Sequence, residues 1–478
     1  MSKTIDRSMI YELEAAEERA SARGSEENER SDGQDIAEPV ADSQSIKDEY
    51  PDGGKKAYSV LLGSFLGLIS NLGVINSIGA IQAHVSTNQL LHVKTSTVSW
   101  IFSIYLALAY AIGLFIGPIF DRKGPRWLLV SATVLITVGF IATANSTNVW
   151  QFILSLSICV GVGNGIAMTP LVGVINHWFF VKRGNATGIA TSGGSVGGLV
   201  IPLMLRSLYV KYGFQWAIRI LAFFCLACMV SAVLLVEERV TKTKEEVEEE
   251  ERQAEEIVHS KIKGNSIFLP VIKVFKSLSF KSLKEPNYSF LIAGAFSAEL
   301  SLILIVTYFA TYAIAQGISE STSYILLTVW NSTGILGRWI PGYLSDKFGK
   351  FNMNILMLTG LNFSIFVVWL PFGSSLKALY AFAALGGFFS GSILSMLPSC
   401  LGQISPVREF GGRYGLLSFF LSFGNLIGVP IGASIIGDGS QHNYDMFVVL
   451  VGILSTLGTV FWAVSRYYIV GTRLNVIV

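Results

Sequence analysis

The chain has 478 residues, 51% of them hydrophobic and only 14% charged, with a formal net charge of +2 and a mean hydropathy of +0.54. A solvated globular surface needs far more charge, so the composition excludes an ordinary soluble domain and, with no basic surplus, a nucleic-acid partner; it points to a chain embedded in a lipid bilayer. The acids are strongly segregated: residues 1–50 hold 14 of the 33 Asp and Glu, and residues 237–256 hold another 10. The rest are Asp52, Asp121, Glu285, Glu299, Glu320, Asp346, Glu409, Asp438 and Asp445, and of these only Glu299 falls inside an apolar stretch.

In chain order, residues 1–50 form an acidic, Ser-rich and Glu-rich segment too polar to pack a core, and they read as a disordered cytosolic tail. The first apolar run follows fifty polar residues and is too long for a signal-peptide core, so no cleavable signal is expected. Helical spans are then predicted over 57–82, 97–119, 127–144, 149–173, 186–209 and 216–236, and again over 288–314, 321–343, 352–372, 377–400, 413–436 and 446–468. Each approaches or exceeds the ~20 residues that cross a ~30 Å hydrocarbon core. The expected fold is an all-α membrane protein of twelve spans: an N-terminal half over 51–236, a cytosolic central loop over 237–287, and a C-terminal half with a short tail over 288–478. Within the loop, Lys273, Lys276, Lys281 and Lys284 recur at helical spacing opposite Val, Phe and Leu. That pattern suits either a helix lying in the anionic inner leaflet or a solvated basic linker.

The joints after spans two, four, eight and ten carry Arg122, Lys123, Arg126, Lys182, Arg183, Lys347, Lys350, Arg408 and Arg413. The alternate joints carry few cations, and Asn145–Asn148 carries none. Cationic joints face the cytosol, which puts both termini there as well. Asn145-Ser146-Thr147 is a glycosylation sequon on the outer side, set close against two helix ends.

The two halves repeat each other. Gly117, Asp121, Arg122 and Gly124 of GPIFDRKG return as Gly342, Asp346, Lys347 and Gly349 of GYLSDKFG, and Met168-x-Pro170 returns as Met396-x-Pro398. Span five carries Gly194 and Gly198 four apart, and span eleven carries Gly424, Gly428 and Gly432, a spacing that lets helices approach closely in lipid. Signs of enzyme chemistry are missing from the sequence. There is no Gly-rich loop ending in Gly-Lys-Ser/Thr, and His84, His92, His177, His259 and His442 are scattered over joints and helix ends. Cys159, Cys225, Cys228 and Cys400 all lie in apolar runs and read as small hydrophobes. Neither a metal, a cofactor nor an enzymatic activity is expected.

Twelve spans, two parallel halves and the doubled Gly–Asp–cation turn resemble the major facilitator superfamily, with Pro125 standing where its signature has a basic residue. Pro51-Asp52-Gly53-Gly54 and WFFVKRGNATGIATSGGSVGG (178–198) are similar to the two signatures of the monocarboxylate-transporter family. Lys55-Lys56-Ala57 replaces the aromatic-Gly-Trp that usually follows the first of them. WIFSIYLALAY (100–110), GFQWAIRILAF (213–223) and GILGRWIPGY (334–343) resemble the fungal branch of that family, most of all its riboflavin permeases.

The resemblance implies a monomeric plasma-membrane carrier of a small molecule, riboflavin-like or a monocarboxylate. It implies that the substrate binds at the midplane between halves that rock to expose it to either side. Asn76, Asn164, Glu299, Tyr308, Asn331, Arg338 and Asn425 are the candidate substrate contacts. Asp121 with Arg122, and Asp346 with Lys347, are the candidate gates, each closing on the start of a facing helix near Arg413 and Arg183 respectively. Proton-coupled members use a Lys where Asn76 stands and an Asp where Gly334 stands; without those charges the expectation is downhill movement of an uncharged solute. Proton-coupled monocarboxylate symport and a non-transporting nutrient receptor are the alternatives. Glu299 lies about 16 Å into its span, near mid-membrane. An unpaired charge is costly there, so Arg338 is its expected partner, directly or through water. A protonated Glu299 bonded to a neighbouring helix is the other arrangement, and an unpaired one is a candidate proton carrier.

Overall fold

In hydrocarbon every backbone N–H and C=O must find its partner within the protein, and a helix satisfies them locally. The structure of this chain, a computed structural model, describes residues 50–239, 252, 280–437 and 439–473, and among these it contains helices and no strand. The acidic tail, Lys273, Lys276, His259 and Asp438 lie outside the described residues.

The helices are α1 (Gly54–Thr87), α2 (Thr97–Lys123), α3 (Arg126–Ala144) and α4 (Val149–Trp178). The stretch Arg183–Leu235 runs on for 53 residues but breaks at Gly213, whose φ of 72° and ψ of 176° divide it into α5 (183–212) and α6 (214–235). After the central loop come α7 (Pro286–Ala315) and α8 (Glu320–Phe348). The last four are α9 (Lys350–Phe372), α10 (Leu376–Gln403), α11 (Val407–Ile436) and α12 (Gln441–Val470). Ten described helices have the length and apolarity of a membrane span, with Arg183–Leu235 taken as one and α8 not among them. A count of twelve crossings therefore rests on reading α5 and α6 separately and on admitting α8, where Asn331, Ser332, Thr333 and Arg338 dilute the apolar run.

Helix ends overrun the predicted spans. α1 covers Gly54–Thr87 where the apolar run is 57–82, and the joint expected at 210–215 is helical on both sides of Gly213. A single glycine with positive φ reverses the chain there, a conformation an L-residue adopts only with strain.

Between the halves the repeat becomes a symmetry of contacts: α2 packs on α11, and α8, its counterpart, packs on α5. Glycines make both seams close. A Cβ on Gly117 would run into the Gly411 carbonyl, and one on Gly342 into the Gly184 carbonyl. The spaced glycines of α5 and α11 serve different neighbours. Gly194 faces Leu72 and Arg338 and Gly198 faces Asn76 and Asn331, whereas Gly424, Gly428 and Gly432 seat Phe296, Leu300 and Tyr308 of α7.

Candidate functional site

The first turn of a helix leaves backbone N–H groups without intrahelical partners, and an anion placed there gains both hydrogen bonds and the helix dipole. The doubled turn uses this twice. Asp121, at the end of α2, accepts from the N–H of Gly411 (2.8 Å) and Gly412 (2.7 Å) at the start of α11. Asp346, at the end of α8, accepts from Gly184 (2.8 Å) and Asn185 (2.9 Å) at the start of α5. Each carboxylate crosses from one half to the other, and both do so at the end of the bundle that carries the cationic joints.

The neighbouring arginines are not the partners of these carboxylates. Arg413 forms a two-pronged pair with Glu285 (2.8 and 2.9 Å) and also donates to the Ile404 carbonyl at 3.1 Å. Arg183, 1% exposed, donates to the carbonyl of Gly402 at 2.6 Å and of Phe179 at 3.1 Å. The Gly402 bond also crosses between halves. Lys347 is exposed and lies over the Tyr343 ring at 4.7 Å, one turn back on its own helix, and Arg122 is half-buried. The contacts of these carboxylates between the halves are thus to backbone amides, with each guanidinium bracing a helix end beside them.

Two further acids belong to this end. Asp52, just before α1, accepts from the N–H of Phe180 (2.9 Å), Lys182 (3.0 Å) and Val181 (3.2 Å) ahead of α5. Glu285, just before α7, holds Arg413 near the start of α11. They occupy equivalent places in the two halves, and each anchors, within its own half, the helix that the other half's aspartate grips. Each stands immediately ahead of the first span of its half; Asp52 also belongs to the Pro51-Asp52-Gly53-Gly54 signature, whereas Glu285 had position alone as its signal in the sequence.

Nearer mid-membrane, five of the seven candidate substrate contacts fall into two groups. On the α1–α5–α8 side, Asn76 donates to the Gly194 carbonyl at 3.0 Å, and Arg338, 5% exposed, donates across the seam to the Thr191 carbonyl at 2.6 Å. Asn331, half-buried, has its carbonyl beside Gly198 next to Asn76. Gly334, where the family resemblance places an acid, faces Ser195 of α5. On the α2–α7–α11 side, Glu299 is 3% exposed and Asn425 fully buried. Tyr110 and Asn425 stand beside the Glu299 carboxyl, yet both carboxyl oxygens and both polar atoms of the Asn425 amide are buried without a hydrogen-bond partner.

The expected direct pairing of Glu299 with Arg338 does not form. α7 and α8 are neighbours in sequence, but Tyr110 of α2 interacts with both charged groups. Asn164 and Tyr308 lie within single halves. The Asn164 side chain donates to the Tyr105 hydroxyl and the Asn164 backbone carbonyl accepts from the Asn71 side chain at 2.7 Å, while Tyr308 donates to the Val429 carbonyl at 2.6 Å. At the opposite end of the bundle Arg219 donates to the Asn145 side chain at 2.9 Å and lies over Trp216.

Two helical halves joined by paired seams, with polar groups buried between them, define a membrane transport protein, and the chain belongs to the Major Facilitator Superfamily, whose family model matches residues 60–374. It is 41% identical to the riboflavin transporter MCH5 of Saccharomyces cerevisiae over 90% of this chain and 82% of that protein. It is 33% identical to an MFS-type transporter of Gibberella moniliformis, covering 92% of this chain and 97% of the relative. Among solved structures it resembles the proton:xylose symporter XylE bound to 6-bromo-6-deoxy-D-glucose, with a TM-score of 0.62 at 14% identity over 85% of this chain and 94% of that one. This last likeness is one of fold.

Proposed function

We propose that the chain carries riboflavin across the plasma membrane by alternating access, down its gradient and without a coupled proton. The observation that carries this reading is the 41% identity, spread over 90% of the chain, to a yeast riboflavin transporter. The site chemistry supports it. With Asn76 and Gly334 in place of a Lys and an Asp, the pocket lacks a cationic dock and a carboxylate beside Arg338. Arg338 itself is tied to the Thr191 carbonyl. Such a site suits a flat aromatic ring with a hydroxylated chain better than a small anion.

In this reading the protein works as a monomer, with the cationic end and both termini in the cytosol. Asp121 and Asp346 hold that end shut, and Arg183 adds its bond to Gly402. Substrate enters from outside, the two seams part, and both aspartates exchange backbone amides for water as the cytosolic side opens. Arg122 and Lys347 hold their turns at the cytosolic surface. Phosphorylation of the vitamin inside the cell keeps the gradient inward.

The test is uptake of labelled riboflavin by cells that cannot synthesise it, with and without this chain. The expected result is saturable uptake and growth rescue, both insensitive to a protonophore. Absence of both, with the chain present in the plasma membrane, would remove riboflavin as the substrate.

A further inference from the structure

Buried polar groups in folded proteins are nearly always hydrogen-bonded, so an unpartnered cluster calls for an explanation. Glu299 and Asn425 form such a cluster: their four polar side-chain atoms are enclosed with no partner at hydrogen-bonding distance, while Tyr110 and Asn425 stand near enough to the carboxyl to act on it. Tyr110 completes it from the other half of the molecule. The remaining titratable or charged groups that act here are Tyr414, on the same helix as Asn425, and Arg338, whose charge is felt at Tyr110. Among the described residues no cation contacts the carboxyl. Gly113 and Gly117 seal α2 against α11 on the cationic side of this point, so the three groups sit just beyond the seam where the halves meet.

We propose that Tyr110, Glu299 and Asn425 form a recognition edge for a cyclic imide, the pyrimidinedione edge of the flavin ring; this rests on the riboflavin reading above. An imide presents carbonyl, N–H and carbonyl in a row. Its complement is donor, acceptor, donor. The Tyr110 hydroxyl and the Asn425 amide N–H supply the donors, and a carboxyl oxygen of Glu299 accepts the imide N–H. Because Tyr110 belongs to one half and the other two residues to the other, a bound imide is held by both halves, as a substrate that couples their movement must be.

The experiment measures kcat/KM for uptake of riboflavin, 3-methylriboflavin and 5-deazariboflavin by the full chain in riboflavin-requiring cells. Methylation removes the imide N–H and leaves the rest of the ring; the deaza compound alters the ring away from that edge. The expected result is a preference for riboflavin over 3-methylriboflavin of at least about tenfold, with 5-deazariboflavin transported like riboflavin. Glu299→Ala and Asn425→Ala should each bring the preference towards one. A preference within about twofold in the unmodified chain, with riboflavin still transported, overturns the imide edge and leaves the riboflavin reading intact, and this holds even where a variant fails to fold. Absence of any flavin uptake overturns both. If Glu299→Ala keeps the preference but abolishes a pH dependence of uptake, the carboxyl serves a proton and the imide assignment is wrong.

Discussion

Replacing Asp121 by Asn tests the gate at its simplest point. The carboxylate accepts two backbone N–H groups at 2.8 and 2.7 Å, and hydrogen bonds to a charged group are worth about 1.5–3 kcal/mol each. An Asn offers one carbonyl and turns an NH₂ towards the other N–H. One bond is lost, the other becomes neutral, and the interaction of a negative charge with the N-terminus of α11 disappears, worth ~0.3–1 kcal/mol. The closed state should weaken by roughly 2–4 kcal/mol relative to the open one, a shift of about thirtyfold to a thousandfold. A cysteine at Ser418, which is 4% exposed and packs against Gly113 in the same seam, reports on it. In inside-out vesicles, an impermeant thiol reagent should label Ser418→Cys slowly in the parent and much faster when Asp121→Asn is added, with Asp346→Asn acting in the same direction. Equal labelling rates in mutant and parent would refute the latch. A turn that only anchors loop topology by its positive charge predicts that equality.

Gly117→Val should abolish uptake while the chain still reaches the membrane, because the added carbons meet the Gly411 backbone carbonyl and keep the α2–α11 seam from closing; surface expression measured beside uptake separates this from misfolding. Asp52→Ala removes the acceptor for three backbone N–H groups ahead of α5 and should lower the melting temperature of the purified protein modestly, by a loss on the order of 1 kcal/mol, because two of the three bonds are exposed and water takes the place of the carboxylate. Gly213→Ala places an L-residue at φ 72° and should destabilise the α5–α6 turn by about 1–2 kcal/mol, readable in the same melts.

The spans and their pairing into halves were legible because hydrocarbon thickness fixes the length of an apolar run, and because a repeated backbone contact demands the same Gly and Asp twice. The partners of those aspartates were legible in part: the free N–H groups at the start of the facing helix follow from helix geometry, but the cation beside each was expected to pair as well, and Arg413 instead reaches Glu285, 128 positions away. Glu299 and Arg338 sit on consecutive helices, which invited a pair; the side chain that interacts with both, Tyr110, comes from the other half. Asn164 and Asn425 look alike in sequence, each one polar residue in an apolar helix. Only packing separates the first, whose amide N–H is bonded inside its own half, from the second, whose amide N and O both lack a partner beside a carboxyl.

Counterflow in proteoliposomes addresses the central claim most directly. Purified protein is reconstituted at equal pH on both sides, vesicles are loaded with unlabelled riboflavin, and labelled riboflavin is added outside. The account predicts rapid uptake of label, accelerated by the internal vitamin and unchanged by a proton ionophore. Binding of label without accumulation would identify a receptor, and uptake that appears only with an imposed pH gradient would identify a proton symporter; either result contradicts downhill riboflavin carriage by this chain.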